Sequence, residues 1–199
     1  MPGRTRHLAY ASFRNYDLVL AETDGRRTLW VHMKVQFQFV DAVVRGQKDG
    51  DWTDATRRQF VLDWKRVVRR AWETDLLTMD GSGRRIRFRL ALDCKIGGVR
   101  IDDFDIQVVR RPEGSGTRSH VNALWNNSII DYTDIAANER QQIVAAHEFG
   151  HMLGLDDEYG EKADPANPDP DSIMAGGMAV RFRHLAKFRR FASSASDAH

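Results

Sequence analysis

Residues 143–157, IVAAHEFGHMLGLDD, contain the motif that decides the fold and the chemistry of this 199-residue chain. His147, Glu148 and His151 form the pattern HExxH on a segment with helical spacing of its apolar residues. Residues four apart on an α-helix share one face, about 6 Å apart along the axis, so both imidazoles can bind one zinc ion. Glu148 is offset by one residue and flanks that ion, where it can accept a proton from water. The motif predicts a zinc site with Glu148 as general base.

The third protein ligand is expected just after the helix. Gly154 follows His151 by three residues, and glycine readily adopts the left-handed conformation that ends a helix and turns the chain back. Asp157 follows three residues later, and its carboxylate would complete three protein ligands and leave a fourth position for water. We therefore predict zinc ligands at His147, His151 and Asp157.

Other acidic and imidazole side chains compete with this assignment. Residues 156–171 hold seven acidic residues against one Lys, and such a loop is an alternative site for calcium, although no complete calcium-loop signature is present. The alternative ligands, none of which has supporting spacing, are Asp156, Glu158, Glu161, His120 and His184. Tyr159 and Tyr132 are candidates for stabilising an oxyanion.

HEFGHMLGLDD, residues 147–157, resembles the zinc-binding stretch HExxHxxGxxH of the metzincin metallopeptidases, with Asp in the last position as in snapalysin-like bacterial proteases. Ser172-Ile173-Met174-Ala175 is similar to the Met-turn of that family. The resemblance implies that Met174 packs under the histidines without binding metal. The chain departs from the family after this Met, because Ala175-Gly176-Gly177 supplies no Tyr to assist the oxyanion.

The remaining pattern predicts an α+β fold. Strict alternation indicates strands at 29–40 and 86–96, the second with Cys94 on its core face, and a shorter strand follows at 104–108. Helical spacing predicts three helices, at 54–77 after the capping residue Thr53, at 137–153 and at 179–191. One or two short strands are expected within 121–133.

This order is that of the upper half of a metzincin. The resemblance thus implies a zincin domain with a twisted mixed sheet, a long helix, an active-site helix and a small C-terminal subdomain. We expect one metallopeptidase domain over residues 1–191, with an upper subdomain at about 25–154 and a lower one at about 155–191. Residues 192–199, ASSASDAH, are predicted to be a flexible tail.

Composition excludes several classes of protein. Hydrophobic residues make up 42% and charged residues 29%, so the chain is globular rather than disordered, and the single Cys94 allows no internal disulfide. The net charge of +2 and the lack of a long apolar run predict neither nucleic-acid nor membrane binding. A basic cluster within residues 57–70 is interpreted as a solvated helix face.

Location is predicted from the amino terminus, where Arg14, Asn15 and Asp17 interrupt the apolar stretch and a secretory signal peptide is not expected. We therefore expect a cytoplasmic protein or one exported by a dedicated secretion system, and a secreted protein if the chain is a processed fragment.

The sequence favours a monomeric zinc endopeptidase whose polypeptide substrate lies along an edge strand near residues 119–128. A zinc amidase acting on peptidoglycan or another amide is an alternative. A third hypothesis is a zinc-stabilised binding module without turnover, in which the basic helix at 57–70 contacts an acidic partner.

Overall fold

The computed structural model describes residues 5–41, 43–44, 47–48, 50–79, 85–98, 104–111, 119–122, 126–162, 164–166 and 168–197. Ten strands are assigned in these ranges: β1 Thr5–Ser12, β2 Asp17–Thr23, β3 Arg26–Asp41, β4 Val43–Val44, β5 Gln47–Lys48, β6 Thr74–Met79, β7 Arg85–Ile96, β8 Phe104–Arg110, β9 His120–Asn122 and β10 Asn127–Asp131. The α-helices are α1 Asp54–Trp72, α2 Val144–Met152 and α3 Ala186–Asp197, with short 3-10 turns at Tyr132–Ile135 and Gly160–Lys162. The α+β class predicted from the sequence is confirmed.

The sixteen-residue strand β3 is the centre of a mixed eight-stranded sheet. Strand β7 runs parallel to β3 along Arg27–Phe37. The first half of β3 also pairs antiparallel with β2, and its second half pairs parallel with β8 from Val35 onward. Because a strand has only two edges, β2 and β8 must lie end to end on the edge opposite β7.

The sheet extends outward from this centre in three directions. Strand β1 pairs with β2, and β6 pairs antiparallel with β7. Beyond β8 the order is β10 and then β9, so β9 is an edge strand among the described residues. The alternation predicted for 29–40 is confirmed on the inward face, where these side chains are at most 1% exposed: Leu29, Val31, Met33, Val35 and Phe37. On the opposite face it fails at Gln36, which is 0% exposed and donates to the carbonyl of Gly98 at 3.0 Å. Cys94 packs against the core but is only half-buried.

Helix α1 packs between the sheet and helix α2. Thr53 caps its N-terminus through a reciprocal pair of bonds with Thr56, as the sequence predicts. Trp64 and Trp72 are buried and lie 6.0 and 6.2 Å from the ring of Phe149 on α2. Trp72 Nε1 also donates to the carbonyl of Ala146 at 2.8 Å. The start of α2 is therefore held by an aromatic cluster on α1.

Two predicted helix boundaries are wrong. Helix α1 ends at Trp72 rather than 77, because Glu73 is extended and Thr74–Met79 pair with β7 as a strand. Helix α2 begins at Val144 rather than 137. Asn138 Oδ1 accepts the backbone N–H groups of Arg140 and Gln142 at 2.9 and 3.0 Å, and this local turn replaces helix.

The last helix is displaced toward the C-terminus. It was predicted at 179–191 but spans Ala186–Asp197, while residues 179–185 have no regular helix. Phe188 and Ala192 are fully buried, four residues apart on the face that packs on the core. The tail predicted from residue 192 is consequently helical as far as Asp197, and residues 198–199 lie outside the described ranges.

The hairpin β1–β2 was not predicted, since the upper subdomain was expected to start near residue 25. Leu18 and Leu20 of β2 are buried, but β1 is mostly exposed, so its sequence lacks a strong alternation. No helix in the described part of the chain is long and apolar enough to cross a membrane.

Candidate metal centre

Helix α2 presents His147 and His151 on one face, as their spacing predicts. Their rings are 4.9 Å apart between centroids and nearly perpendicular, at 88°. The His147 side chain is 7% exposed and that of His151 is 19% exposed. Both imidazoles are therefore packed into the protein at the floor of a cleft.

Each imidazole is oriented by a backbone carbonyl. His147 Nδ1 donates to the carbonyl of Ile173 at 2.7 Å, and His151 Nδ1 donates to that of Leu155 at 2.8 Å. A carbonyl oxygen can only accept, so the proton of each neutral ring lies on Nδ1 and the lone pair lies on Nε2. The two Nε2 atoms are thus prepared as metal ligands.

Asp157 completes the cluster. Its Oδ1 atom lies 3.3 Å from His147 Nε2 and 3.1 Å from His151 Nε2. Asp157 Oδ1 is buried and has no hydrogen-bond partner. Nitrogen and oxygen ligands held tetrahedrally about 2.0–2.1 Å from zinc lie roughly 3.3 Å apart. Three lone-pair donors at this spacing form a group that could hold a metal ion.

The carboxylates on either side of Asp157 are paired with cations. Lys162 Nζ donates to Asp156 Oδ1 at 2.9 Å, and its hydrogen bond lowers the pKa of the Asp156 carboxyl. Arg183 donates to both oxygens of Glu158 at 2.6 Å and holds the pKa of this carboxyl at about 2. The geometry therefore places Asp157, and neither neighbour, beside the two imidazoles.

The other candidate ligands are not in the cluster. His184 is buried, its Nδ1 accepts the backbone N–H of Arg181 at 3.0 Å, and its Nε2 lies 3.1 Å from Glu158 Oε1. His120 is exposed on β9 and lines the cleft without joining the three ligand atoms. The side chain of Glu161 lies outside the described part of the structure.

Gly154 reverses the chain after α2. It has a φ of +80°, its N–H donates to His151 O at 2.8 Å, and Leu155 N–H donates to Gly150 O at 3.0 Å. A residue with a Cβ is strained at this φ. After this turn the Leu155 carbonyl accepts the hydrogen bond from His151 Nδ1, and Asp157 lies beside the two imidazoles of α2. The sequence predicts this turn at Gly154.

Ser172, Ile173 and Met174 form the turn under the helix. Met174 is fully buried, and a Cβ on Gly150 would overlap its sulfur. The sulfur is not among the grouped ligand atoms. The turn also holds the third-ligand segment, because Glu158 N–H donates to Met174 O at 2.7 Å. Met174 thus packs against α2 at Gly150, which lies one residue before His151.

Glu148 lies between the two histidines in sequence and is 6% exposed. It lines a cleft of about 540 Å³ together with His147, His151 and Asp157. A smaller cavity of about 380 Å³ also contacts Glu148 and His147, and both spaces are bordered by Tyr159 and Ser119. The cleft therefore gives a ligand access to the three grouped atoms and to Glu148.

The two tyrosines differ in position. The ring of Tyr159 stacks on His147, with centroids 6.2 Å apart. Tyr132 instead packs against Trp52 at 6.3 Å and under the guanidinium of Arg110 at 4.9 Å. Of these two tyrosines, Tyr159 lines the cleft and Tyr132 does not.

Sequence reasoning missed an ionic network beside the site. Glu158 contacts Arg183, His184 and Ser172, and Arg183 also donates to Asp169 at 2.7 Å. Arg181 completes the network with two bonds to Asp169, at 2.9 and 2.8 Å. The only signal in the sequence is that the acidic loop 156–171 precedes a basic segment, which does not identify the pairs.

No protein family, curated protein or solved structure that was compared with this chain matches it.

The assignment of the third ligand makes a direct prediction. Asp157→Ala should weaken zinc binding more than about 100-fold. Mutating a residue that only hydrogen-bonds to a metal ligand typically lowers metal affinity by about 10–100-fold, and the loss of a ligand itself should cost more. Asp157→His should restore part of the affinity, since imidazole also suits zinc. Competition titration with a chromophoric chelator measures both. Asp156→Ala is the control and should bind zinc as the wild type does; zinc loss in this variant and not in Asp157→Ala would show that the ligand is wrongly assigned.

The turn containing Met174 makes a second prediction. A Cβ on Gly177 would overlap the backbone of Asp171, whereas one on Gly176 meets only Pro170 O at 3.6 Å. Gly177→Ala should therefore destabilise the fold by about 1–3 kcal/mol or more, and Gly176→Ala by much less. Urea unfolding of the two neighbouring variants tests this, and equal midpoints would contradict the described packing of the turn.

Proposed function

We propose that this protein is a zinc-dependent endopeptidase of metzincin type. The observation that carries the proposal is the convergence of His147 Nε2, His151 Nε2 and Asp157 Oδ1 in one cleft with Glu148. Two imidazoles and one carboxylate are a typical protein ligand set for catalytic zinc. Zinc bound by these residues would supply Lewis-acid chemistry, polarising the scissile carbonyl and acidifying water.

Glu148 performs the proton transfers in this proposal. Its carboxylate accepts a proton from the attacking water and then delivers it to the amine of the departing peptide. Glu148 supports this role because it is 6% exposed and lines the same cleft as the three grouped atoms without being one of them. His147 and His151 hold their own protons on Nδ1 against backbone carbonyls, so the transfer is left to Glu148.

The position of β9 supports an extended polypeptide as substrate. Within the described ranges β9 is the last strand of the sheet, and its His120 and Val121 line the cleft that Glu148 also lines. An extended chain can add to an exposed sheet edge through backbone hydrogen bonds, which would bring its peptide groups past the metal. The predicted substrate edge covered residues 119–128, of which 123–125 lie outside the described ranges.

The metzincin proposal rests on the region after α2. Gly154 turns the chain, Asp157 returns to the histidines, and the Ser172–Met174 turn packs under Gly150. The order of sheet, long helix and active-site helix is also that expected for the upper half of a metzincin. A division into upper and lower subdomains near residue 155 belongs to the same proposal.

The catalytic role of Glu148 gives a third prediction. Glu148→Gln should retain zinc and fold but cleave an unstructured protein such as casein about 10²–10⁴-fold more slowly, because general-base catalysis is lost. Metal analysis, circular dichroism and cleavage with and without a chelator measure the three properties. Glu139→Gln, an exposed change in the loop before α2, is the matched control and should behave as the wild type.

The same assays separate the alternative functions. Cleavage of bacterial cell walls but not casein, with the same dependence on Glu148, would identify an amidase. A zinc-loaded wild type that cleaves neither substrate would favour a binding module. Full casein cleavage by zinc-loaded Glu148→Gln would remove this residue from the mechanism.

A further inference from the structure

The side chain of Asp157 is not held in place by hydrogen bonds of its own Oδ1 atom. That atom is buried and faces the two imidazoles, with no hydrogen-bond partner. The contacts described for the ligand segment come instead from the residues on either side of Asp157. On the amino-terminal side, Leu155 is held by its N–H bond to Gly150 O and by the bond from His151 Nδ1 to its carbonyl.

Glu158 holds the other side. Its backbone N–H donates to Met174 O at 2.7 Å. Its carboxylate accepts two bonds from Arg183, both at 2.6 Å, and one from the Ser172 hydroxyl. His184 has its Nδ1 occupied as an acceptor, so its Nε2 carries the proton and donates to Glu158 Oε1 at 3.1 Å.

These bonds connect the ligand segment to two rigid parts of the molecule. Ser172 and His184 are 0% and 3% exposed, so the contacts to them are fixed by packing. Ser172 also accepts the backbone N–H of Met174 at 3.2 Å, within the turn whose Ile173 carbonyl orients His147. The same small set of contacts thus fixes an imidazole ligand and the segment that carries the carboxylate ligand.

We propose that Glu158 is a positioning residue for the metal centre. Its bonds to Arg183, His184 and Ser172 hold the neighbouring residue Asp157 in place beside His147 and His151. The inference rests on the proposed metal binding. Glu158 binds no metal itself. Its carboxylate locks the backbone one residue beyond the ligand, so that Asp157 reaches the site with little conformational freedom to lose.

Glu158→Gln tests this role because it keeps the size of the side chain and removes the charge that attracts Arg183. We expect the zinc dissociation constant to rise about 10-fold or more, as for other residues that orient metal ligands. The visible spectrum of the Co²⁺-loaded protein should also change, since it reports the geometry of the ligands. Asp169→Asn is the control, because it weakens bonds from Arg181 and Arg183 without adjoining a ligand.

A second pair of variants approaches the contact from the opposite partner. Arg183→Ala removes the two bonds to Glu158. Arg181→Ala removes the two bonds to Asp169, and no side-chain bond from Arg181 to Glu158 is described. Both guanidinium groups are part-exposed, so both variants should fold. Arg183→Ala should weaken zinc binding in the same direction as Glu158→Gln, and Arg181→Ala should leave it within about threefold of the wild type.

Unfolding of the metal-free variants in urea separates positioning from general stability. The proposal holds if Glu158→Gln and Asp169→Asn lose similar stability but only Glu158→Gln loses zinc affinity and alters the Co²⁺ spectrum. It is overturned if zinc affinity is unchanged in Glu158→Gln, or falls equally in Asp169→Asn, while the wild type binds zinc. A wild type that binds no zinc would overturn the proposed function and this inference together.

Discussion

The hydrogen bond from His147 Nδ1 to the Ile173 carbonyl joins helix α2 to the turn beneath it, and the arrangement of the candidate site depends on this contact. It selects the tautomer that directs the Nε2 lone pair toward Asp157. The carbonyl is itself fixed, since Ile173 N–H donates to Ala179 O and Ser172 O accepts from Ala175 and Gly177. A tightly bonded turn therefore determines the ring orientation, and Gly177 is the residue whose lack of a side chain permits that turn.

The sequence predicted the candidate site better than the rest of the fold, because the information needed there is local. The spacing of His147 and His151 places them on one face of any helix, and a glycine three residues later ends that helix in a short, constrained turn. Asp157 is only three residues beyond that glycine, so the short connection limits the positions that its side chain can reach. The partners that complete the arrangement are distant in sequence, and Ile173 and Arg183 give no sign in the sequence of which group each one bonds.

Helix boundaries were predicted less well for a related reason. Helical spacing continues past Trp72 in the sequence, but residues 74–79 pair with the next strand, β7, and this pairing prevails over helix. At residue 138 the competing interaction is local, as the Asn138 side chain binds two backbone N–H groups that a helix would have used. The exposed strand β1 lacks an apolar face, so its pairing with β2 depends on contacts that periodicity does not reveal.

The charge pattern shows how a loop without regular structure supports an ordered site. The acidic loop appeared in the sequence as a possible calcium site, yet the structure pairs Asp156, Glu158 and Asp169 with Lys162, Arg183 and Arg181. Exposed ion pairs contribute little to stability individually, but a bidentate arginine fixes geometry. Asp157 is consequently distinguished from its neighbours by position, since their negative charges are matched by cations and its own Oδ1 faces the imidazoles.

Helix α3 contacts the C-terminal end of helix α2. Lys187 Nζ donates to the Leu153 carbonyl at the C-terminus of α2 and lies over the rings of Tyr16 and Phe188, at 5.2 and 5.0 Å. Burial lowers the pKa of Lys187 to about 8, because it disfavours the charged form. The favourable interaction of a cation with a helix C-terminus partly offsets this effect. A Cβ on Gly154 would lie 3.3 Å from this nitrogen. Glycine at 154 therefore serves both the left-handed turn and the close approach of Lys187, so helix α3 contacts the segment that leads to Asp157.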